Sequence, residues 1–281
     1  MKRRRKRGQL SPWFYVLVIL ILLIMLFPFL MMLTTALKPS TEAVSTTPTI
    51  FPREITFQHF KDVLNPDIFP FLTYLRNSFT VSLTASAISV SVAIFGAYAL
   101  SKLNFRFKRV IDSSFYTVYM FSGVLLVVPL FKIISSIGLY NTRTSLILVM
   151  IVQTLPTAIF MLRSYFDTIP KGIEEAAMID GLPRWKSVFY IIIPLSLSGI
   201  ASVFVYAFMV SWNNFLFASI LLSDSKMFTL TVGLNSLFNT PTYVWGRMMA
   251  ASLLTALPVV ILYAITQNFI KKNLVEGGVK Q

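Results

Sequence analysis

The stretch best suited to a specific task is residues 167–183, Asp-Thr-Ile-Pro-Lys-Gly-Ile-Glu-Glu-Ala-Ala-Met-Ile-Asp-Gly-Leu-Pro. Asp167 or Thr168 can cap a helix start, Pro170 suits a first turn, and Glu174 and Glu175 fall toward the positive end of the helix dipole. Gly181 supplies a C-terminal stop, and Pro183 bars continuation. The resulting helix has about ten residues, fewer than the 12–15 below which isolated helices are marginal in water. It needs a surface to dock on. Ile173, Ala176 and Ala177 form a small apolar face, and Glu174, Glu175 and Asp180 place carboxylates around it. Such a helix suits insertion into a groove on a partner protein. Acidic flanks disfavour the alternative, a helix resting on anionic headgroups, which attract Lys and Arg.

Other chemistry is largely excluded by composition. There is no Cys and a single His, His59, so disulfides, thiolate metal sites and cysteine nucleophiles are ruled out and little remains for metal catalysis. No G-x-x-x-x-G-K-[ST] loop occurs and Gly is never followed by Lys. Any ATP is therefore bound by another chain, and no catalytic residue, metal ligand or cofactor is assigned to this one. The net charge of +14 does not point to nucleic acid, because that reading requires a basic face beside a packed soluble core. Here the charges lie between long apolar blocks.

Of the 281 residues, 56% are apolar and only 13% are charged, against about 25% charged in a soluble domain. Uncharged runs read as six transmembrane helices over 12–37, 77–101, 113–131, 144–162, 194–221 and 248–270. Pro194 marks the start of the fifth, preceded by a short interfacial helix, and 163–193 forms a loop between the fourth and fifth. The run 227–246 is too rich in Thr and Asn to span and reads as an external loop with a short helix. With the N-terminus inside, 17 of the 25 Lys and Arg lie in segments 1–11, 102–112, 163–186 and 271–281. The positive-inside bias thus places both termini in the cytoplasm and the chain in the cytoplasmic membrane as a multi-pass protein. The basic cluster from Lys2 to Arg7 sets orientation, binds anionic membrane lipid, or both. It also resembles the start of a signal peptide, but the apolar run behind it is twice the usual length and lacks a small-residue cleavage site. An uncleaved first span fits better.

Away from their ends the spans carry no Asp, Glu, Lys, Arg or His, which weighs against a proton-coupled carrier. Ser78, Ser82, Ser86, Ser89, Ala93 and Gly96 line one helix face, more suited to close packing than to a pore. Trp212, Asn213 and Asn214 sit about two-thirds of the way across the fifth span, with the two amides about 100° apart on a helix. They serve interhelical bonding or a watered pathway. Gln153 and Thr154, just before Pro156, make the same weaker case. Pro156 and Pro258 are expected to kink their helices, since each removes a backbone bond.

In the 163–193 loop the sequence resembles the permease subunits of ABC importers, whose motif is E-A-A-x3-G-x9-I-x-L-P. The residues are Glu175, Ala176, Ala177, Gly181, Ile191 and Pro194, with Ile193 in place of Leu. Within that family the chain looks most like the smaller permease of maltose-type carbohydrate importers. The supporting features are its length, its long first external loop, the run from Trp212 to Ala218, and the Gly277-Gly278-Val279-Lys280 tail. Asn214 stands where relatives often carry Glu, so no carboxylate role transfers to it.

The resemblance implies an all-α, six-span type I ABC importer permease fold with a cytoplasmic coupling helix. It implies a second homologous permease, two ATPase subunits that use ATP and Mg, an extracytoplasmic solute-binding protein and a sugar substrate. Ile173, Glu174, Glu175, Ala176, Ala177, Asp180 and Gly181 would then couple to an ATPase subunit. Gln153, Thr154, Trp212, Asn213 and Asn214 are candidates for the translocation path. Thr231, Gly233, Leu234 and Asn235 are candidates for binding-protein contact, unless the loop is a spacer. Within the tail 271–281, the stretch from Asn273 to Gln281 would run along the ATPase interface or be disordered. The alternatives are an importer of a non-sugar solute and, further off, a secondary carrier, which would call for inverted repeats and intramembrane coupling groups.

Overall fold

Long uncharged runs become long helices because a chain in lipid must satisfy its backbone hydrogen bonds internally. The computed structural model describes residues 11–43, 49–120, 123–239 and 244–278. The basic cluster 2–7, Thr240, Pro241 and Thr242 of the external loop, and Val279 and Lys280 of the tail fall outside them. Among the described residues all regular structure is helical. The helices are α1 (Pro12–Ala36), α2 (Ser40–Ala43), α3 (Gln58–Leu64), α4 (Phe71–Lys102), α5 (Lys108–Met120), α6 (Val127–Ser136) and α7 (Arg143–Asp167). There follow α8 (Lys171–Ile179), α9 (Arg184–Leu195), α10 (Leu197–Trp212), α11 (Leu216–Leu221), α12 (Leu230–Ser236) and α13 (Trp245–Gly278). Four of them, α1, α4, α7 and α13, are long and apolar enough to cross a membrane, and α9 with α10 forms a fifth such unit bent by 81°. Pro156 and Pro258 lie within α7 and α13, which continue through them.

Two expected spans are interrupted. Over 113–131, α5 is followed by a 3₁₀ turn at Gly123–Leu126 and then α6, with residues 121 and 122 outside the description. Pro129 explains the restart, since it is tolerated in the first turn of α6 but would block an interior one. Over 194–221, the helix stops at Trp212 and resumes at Leu216. The bend that opens this span falls at Ser196, two residues after Pro194.

The described residues form two compact units, 1–71 with 237–256 and 72–236 with 257–281. In the first, α1 keeps only Thr34 and Ala36 buried. His59 on α3 is buried, and its Nε2 lies 2.9 Å from the Lys38 carbonyl. Gly246 covers that ring so closely that a Cβ there would stand 2.2 Å from it. Arg247 pairs with Asp62 at 3.1 Å. The Lys38 ammonium donates to the Thr49 carbonyl, and the Glu42 carboxylate accepts from Thr49 Oγ1 at 2.7 Å and from the Arg53 amide at 3.2 Å.

In the second unit, α4 and α7 pack through small residues. Lipid tails are as apolar as Leu, so helices associate there by close van der Waals contact and hydrogen bonds rather than by hydrophobicity. Ser78, Ser82, Ser86, Ser89 and Ala93 are all buried. Thr154 Oγ1 donates to Ser89 Oγ at 2.9 Å, and a Cβ on Gly96 would meet Ile159 Cδ1 at 3.1 Å. One apolar cluster gathers Ala93, Ala97, Tyr98, Leu162, Phe166 and Val203, and another gathers Val81, Ala85, Met150, Phe217 and Leu221.

Candidate functional site

The helix α8 is bounded as its sequence requires at one end and differently at the other. Gly181 adopts φ +88°, a left-handed conformation that turns the chain. Its amide donates to the Met178 carbonyl at 3.1 Å, and that of Leu182 to the Ala177 carbonyl at 3.0 Å. At the start, Pro170 holds the N-cap position and no side chain caps the helix. Asp167 and Thr168, expected to begin α8, instead end α7. Thr168 is the C-cap of α7, and the Asp167 carboxylate accepts from Ser101 Oγ at 2.5 Å.

The two adjacent glutamates point in opposite senses. Glu175, Ala176 and Asp180 are exposed, Ala177 is half-buried, Ile173 is 45% exposed and Ile179 is 86% exposed. This face offers small apolar groups, one large apolar tip and carboxylates to a partner. Glu174, expected among the partner-facing carboxylates, is only 7% exposed and accepts a hydrogen bond from the hydroxyl of the buried Tyr98 of α4. The reason is geometric: consecutive helix residues diverge by about 100°, so docking the α8 inner face on α4 turns one glutamate in and leaves the other out. Lys102 Nζ adds a bond to the Ile169 carbonyl at 2.6 Å just before α8.

The path candidates separate as well. Thr154 is fully buried and bonded to Ser89, which makes it interhelical glue. Trp212 is buried and stacked on Phe208 at 5.4 Å between centroids. Asn213 and Asn214 occupy the break between α10 and α11 rather than a helix face. Asn213 Nδ2 donates to the Met209 carbonyl at 3.0 Å, and Asn214 Oδ1 accepts from the Phe217 amide at 3.1 Å. The amides thus bond backbone groups at the interruption, as a break at membrane depth demands. Gln153 differs: its Nε2 is buried without a partner among the described residues, and its Oε1 lies 2.8 Å from where a Gly123 Cβ would be.

On α12, Thr231 Oγ1 donates to the Asn214 carbonyl at 2.8 Å, and Gly233 is buried against Tyr74. Of the four contact candidates, Asn235 is exposed and Leu234 half-buried, while Thr231 and Gly233 serve the chain's own packing.

Residues 89–274 match the family of binding-protein-dependent transport system inner membrane components. The chain belongs to this family. This inner membrane component is 60% identical over 275 residues, 98% of each chain, to the inner membrane ABC transporter permease protein YcjP of Escherichia coli strain K12. It is 31% identical over 268 residues, 95% of its length and 96% of the relative's, to the diacetylchitobiose uptake system permease protein DasC of Streptomyces coelicolor. It also shares its fold with a chain of a bacterial ABC transporter involved in the import of the acidic polysaccharide alginate. There the TM-score is 0.78 at 22% identity, over 92% of this chain and 95% of that one.

Three residues of the inner membrane component escaped the sequence reading. Tyr98 holds α8. Asn77 Nδ2 donates to the carbonyls of Lys226 and Phe228, both at 2.9 Å, in the segment leading into α12. Asn141, at φ 58°, accepts the Ser223 and Asp224 amides at 2.9 and 3.0 Å and donates its own amide to the Leu221 carbonyl at 2.9 Å. Only Asn141 carried a signal, since Asn tolerates the left-handed region.

Proposed function

We propose that the chain is a permease subunit of an ATP-driven importer that moves a sugar or oligosaccharide inward across the cytoplasmic membrane. The observation that carries this reading is α8: a short helix, clamped on its inner side, whose outer face exposes Glu175 and Ala176 and stops at Gly181. An isolated helix of this length needs docking to persist, and this one leaves a carboxylate and small side chains free for a groove. The uptake of diacetylchitobiose named for the relative DasC supports a saccharide cargo.

In this reading both termini face the cytoplasm, as the distribution of Lys and Arg favours. The chain pairs with a second homologous permease, two ATPase subunits that bind ATP and Mg, and an external solute-binding protein. The small face of α8 sits in a cleft of one ATPase, and Glu175 forms charged or hydrogen-bonded contacts there. Closure of the ATPase pair on ATP moves α8, and α4 and α7 follow because they are joined to it. The cavity then faces outward and receives solute from the binding protein, which meets the α12 region at Leu234 and Asn235. Hydrolysis reverses the movement. Asn213 and Asn214 keep the interrupted span intact while solute passes.

The test is Glu175→Lys in the chain expressed with its native partners. Loss of both ATPase co-purification and solute uptake is expected. Unaltered uptake would overturn the reading.

A further inference from the structure

The buried Tyr98–Glu174 pair has no part in the partner contact just described, yet it joins the partner-facing helix to a single long element. Burying a carboxyl group is expensive unless a hydrogen bond accompanies it. Here the hydroxyl of Tyr98, a residue only 6% exposed, donates to Glu174 Oε1. Two further bonds run between the same end of α4 and the chain leading into α8: Ser101 Oγ to Asp167 at 2.5 Å and Lys102 Nζ to the Ile169 carbonyl at 2.6 Å.

The other end of α4 is tied in the same manner. Asn77 Nδ2 donates to the Lys226 and Phe228 carbonyls, and Ser78 Oγ accepts the Leu230 amide at 2.7 Å. Asn77 and Tyr98 are 21 positions apart on one uninterrupted helix, about 31 Å at 1.5 Å per residue, the thickness of the hydrocarbon core. By contrast α10 and α11, another route toward α12, are broken at Asn213–Phe215 and bent from α9 by 81°, while α7, also uninterrupted, meets α12 in the apolar cluster that holds Met150 and Val232. α4 is therefore an unbroken link between α8 and α12 that is hydrogen-bonded at both ends.

We propose that Tyr98 and Glu174 are a positioning pair that latches the coupling helix to α4, so that movement of α8 reaches α12 on the opposite side of the membrane. This rests on the importer reading above. Glu174 acts within its own chain and makes no contact with the ATPase. The latch is a hydrogen bond with Glu174 as acceptor, so an amide at that position serves and a methyl does not. Tyr98→Phe removes the donor with little change of shape.

Because the chain has no Cys, single reporters can be placed at the exposed positions Ile179 on α8 and Asn235 on α12. The complete importer, purified with its native partners and reconstituted in nanodiscs, carries Ile179→Cys or Asn235→Cys and is reacted with a small maleimide. Labelling rates are compared without nucleotide and with ATP plus vanadate. With the latch intact, nucleotide is expected to change both rates. Tyr98→Phe and Glu174→Ala should leave ATPase co-purification and the Ile179 response in place. They should shrink the Asn235 response about fivefold or more, the low end of coupling between distant sites. Glu174→Gln should restore it, which a general loss of packing would not allow. A full Asn235 response in Tyr98→Phe would overturn the latch, as would loss of ATPase co-purification in Glu174→Gln. If nucleotide alters neither rate with Tyr98 and Glu174 in place, the importer reading fails, and the latch with it.

Discussion

The ring of Tyr74 lies directly against the backbone of Gly233: a Cβ on that glycine would stand 2.3 Å from Tyr74 Cδ2 and 2.6 Å from Cε2. A glycine conformationally ordinary by its φ is thus required by space. Gly233→Ala is expected to destabilise the α12 region by about 1–3 kcal/mol, the usual cost of overpacking, read as a lowered thermal midpoint of the purified complex. Combining it with Tyr74→Ala should relieve the clash and give less than the sum of the two single effects. An additive pair would show that the two do not meet.

Gly181 is the opposite case, with open space around it and a φ of +88°. An L side chain there costs about 1–2 kcal/mol, and the strain falls on the turn that ends α8. With α8 docked on an ATPase as proposed, Gly181→Ala should therefore reduce ATPase co-purification without lowering the amount of chain in the membrane. Quantitative blotting of both subunits checks this, and an unchanged ratio would show that the turn can be formed otherwise.

Thr154 and Ser89 supply a small effect rather than a large one. Interhelical hydrogen bonds in membranes average about 0.6 kcal/mol and reach about 1.7. A double-mutant cycle with Thr154→Val and Ser89→Ala should return a coupling in that range by denaturant unfolding in detergent. A coupling of zero would assign their packing to shape alone.

Glu42 supplies a pH dependence. The Thr49 hydroxyl, and behind it the Arg53 amide and the Lys38 and Arg53 charges, hold its carboxyl below the ordinary value against a smaller opposing effect of burial. A carboxyl whose value is lowered on folding adds stability that is complete above the unfolded value and is lost as pH falls through the folded one. The contacts among Glu42, Thr49 and Arg53 should hold at neutral pH and loosen only as pH falls below the ordinary glutamate range. Faster amide exchange at Arg53 in acid, after correction for intrinsic rates, checks it, and Glu42→Gln should abolish the dependence.

Sequence reached some of this and missed the rest for identifiable reasons. The Gly181 turn was legible because a glycine followed two residues later by proline has few other uses. The Ser and Ala face of α4 was legible because helical spacing alone reveals it. The inward turn of Glu174 was not, since periodicity separates Glu174 from Glu175 without saying which faces in. That depends on Tyr98, 76 positions earlier. The break at Asn213 was also hidden, because neither Gly nor Pro marks it and the amides that satisfy it read equally well as pathway lining. Asp167 and Thr168 could cap either neighbouring helix, and the bond from Ser101 to Asp167 decides in favour of α7.

Between α8 and the bend at Ser196, the turn at Val188–Ile192 within α9 is π-helical. Such a turn is an α-helix holding one residue too many. Each residue in an α-helix advances the chain by about 100°, so the extra one sets the rotational phase of everything before it relative to everything after. Deleting a single residue there would let the turn relax to ordinary α-helix and rotate Arg184 and the chain entering from Gly181 by about 100° around the axis of α9. The clamp on Glu174 and the aim of Glu175 would then make incompatible demands on the same short helix. The bearing of the docking face is in this sense encoded as a count of residues, outside the helix that presents it.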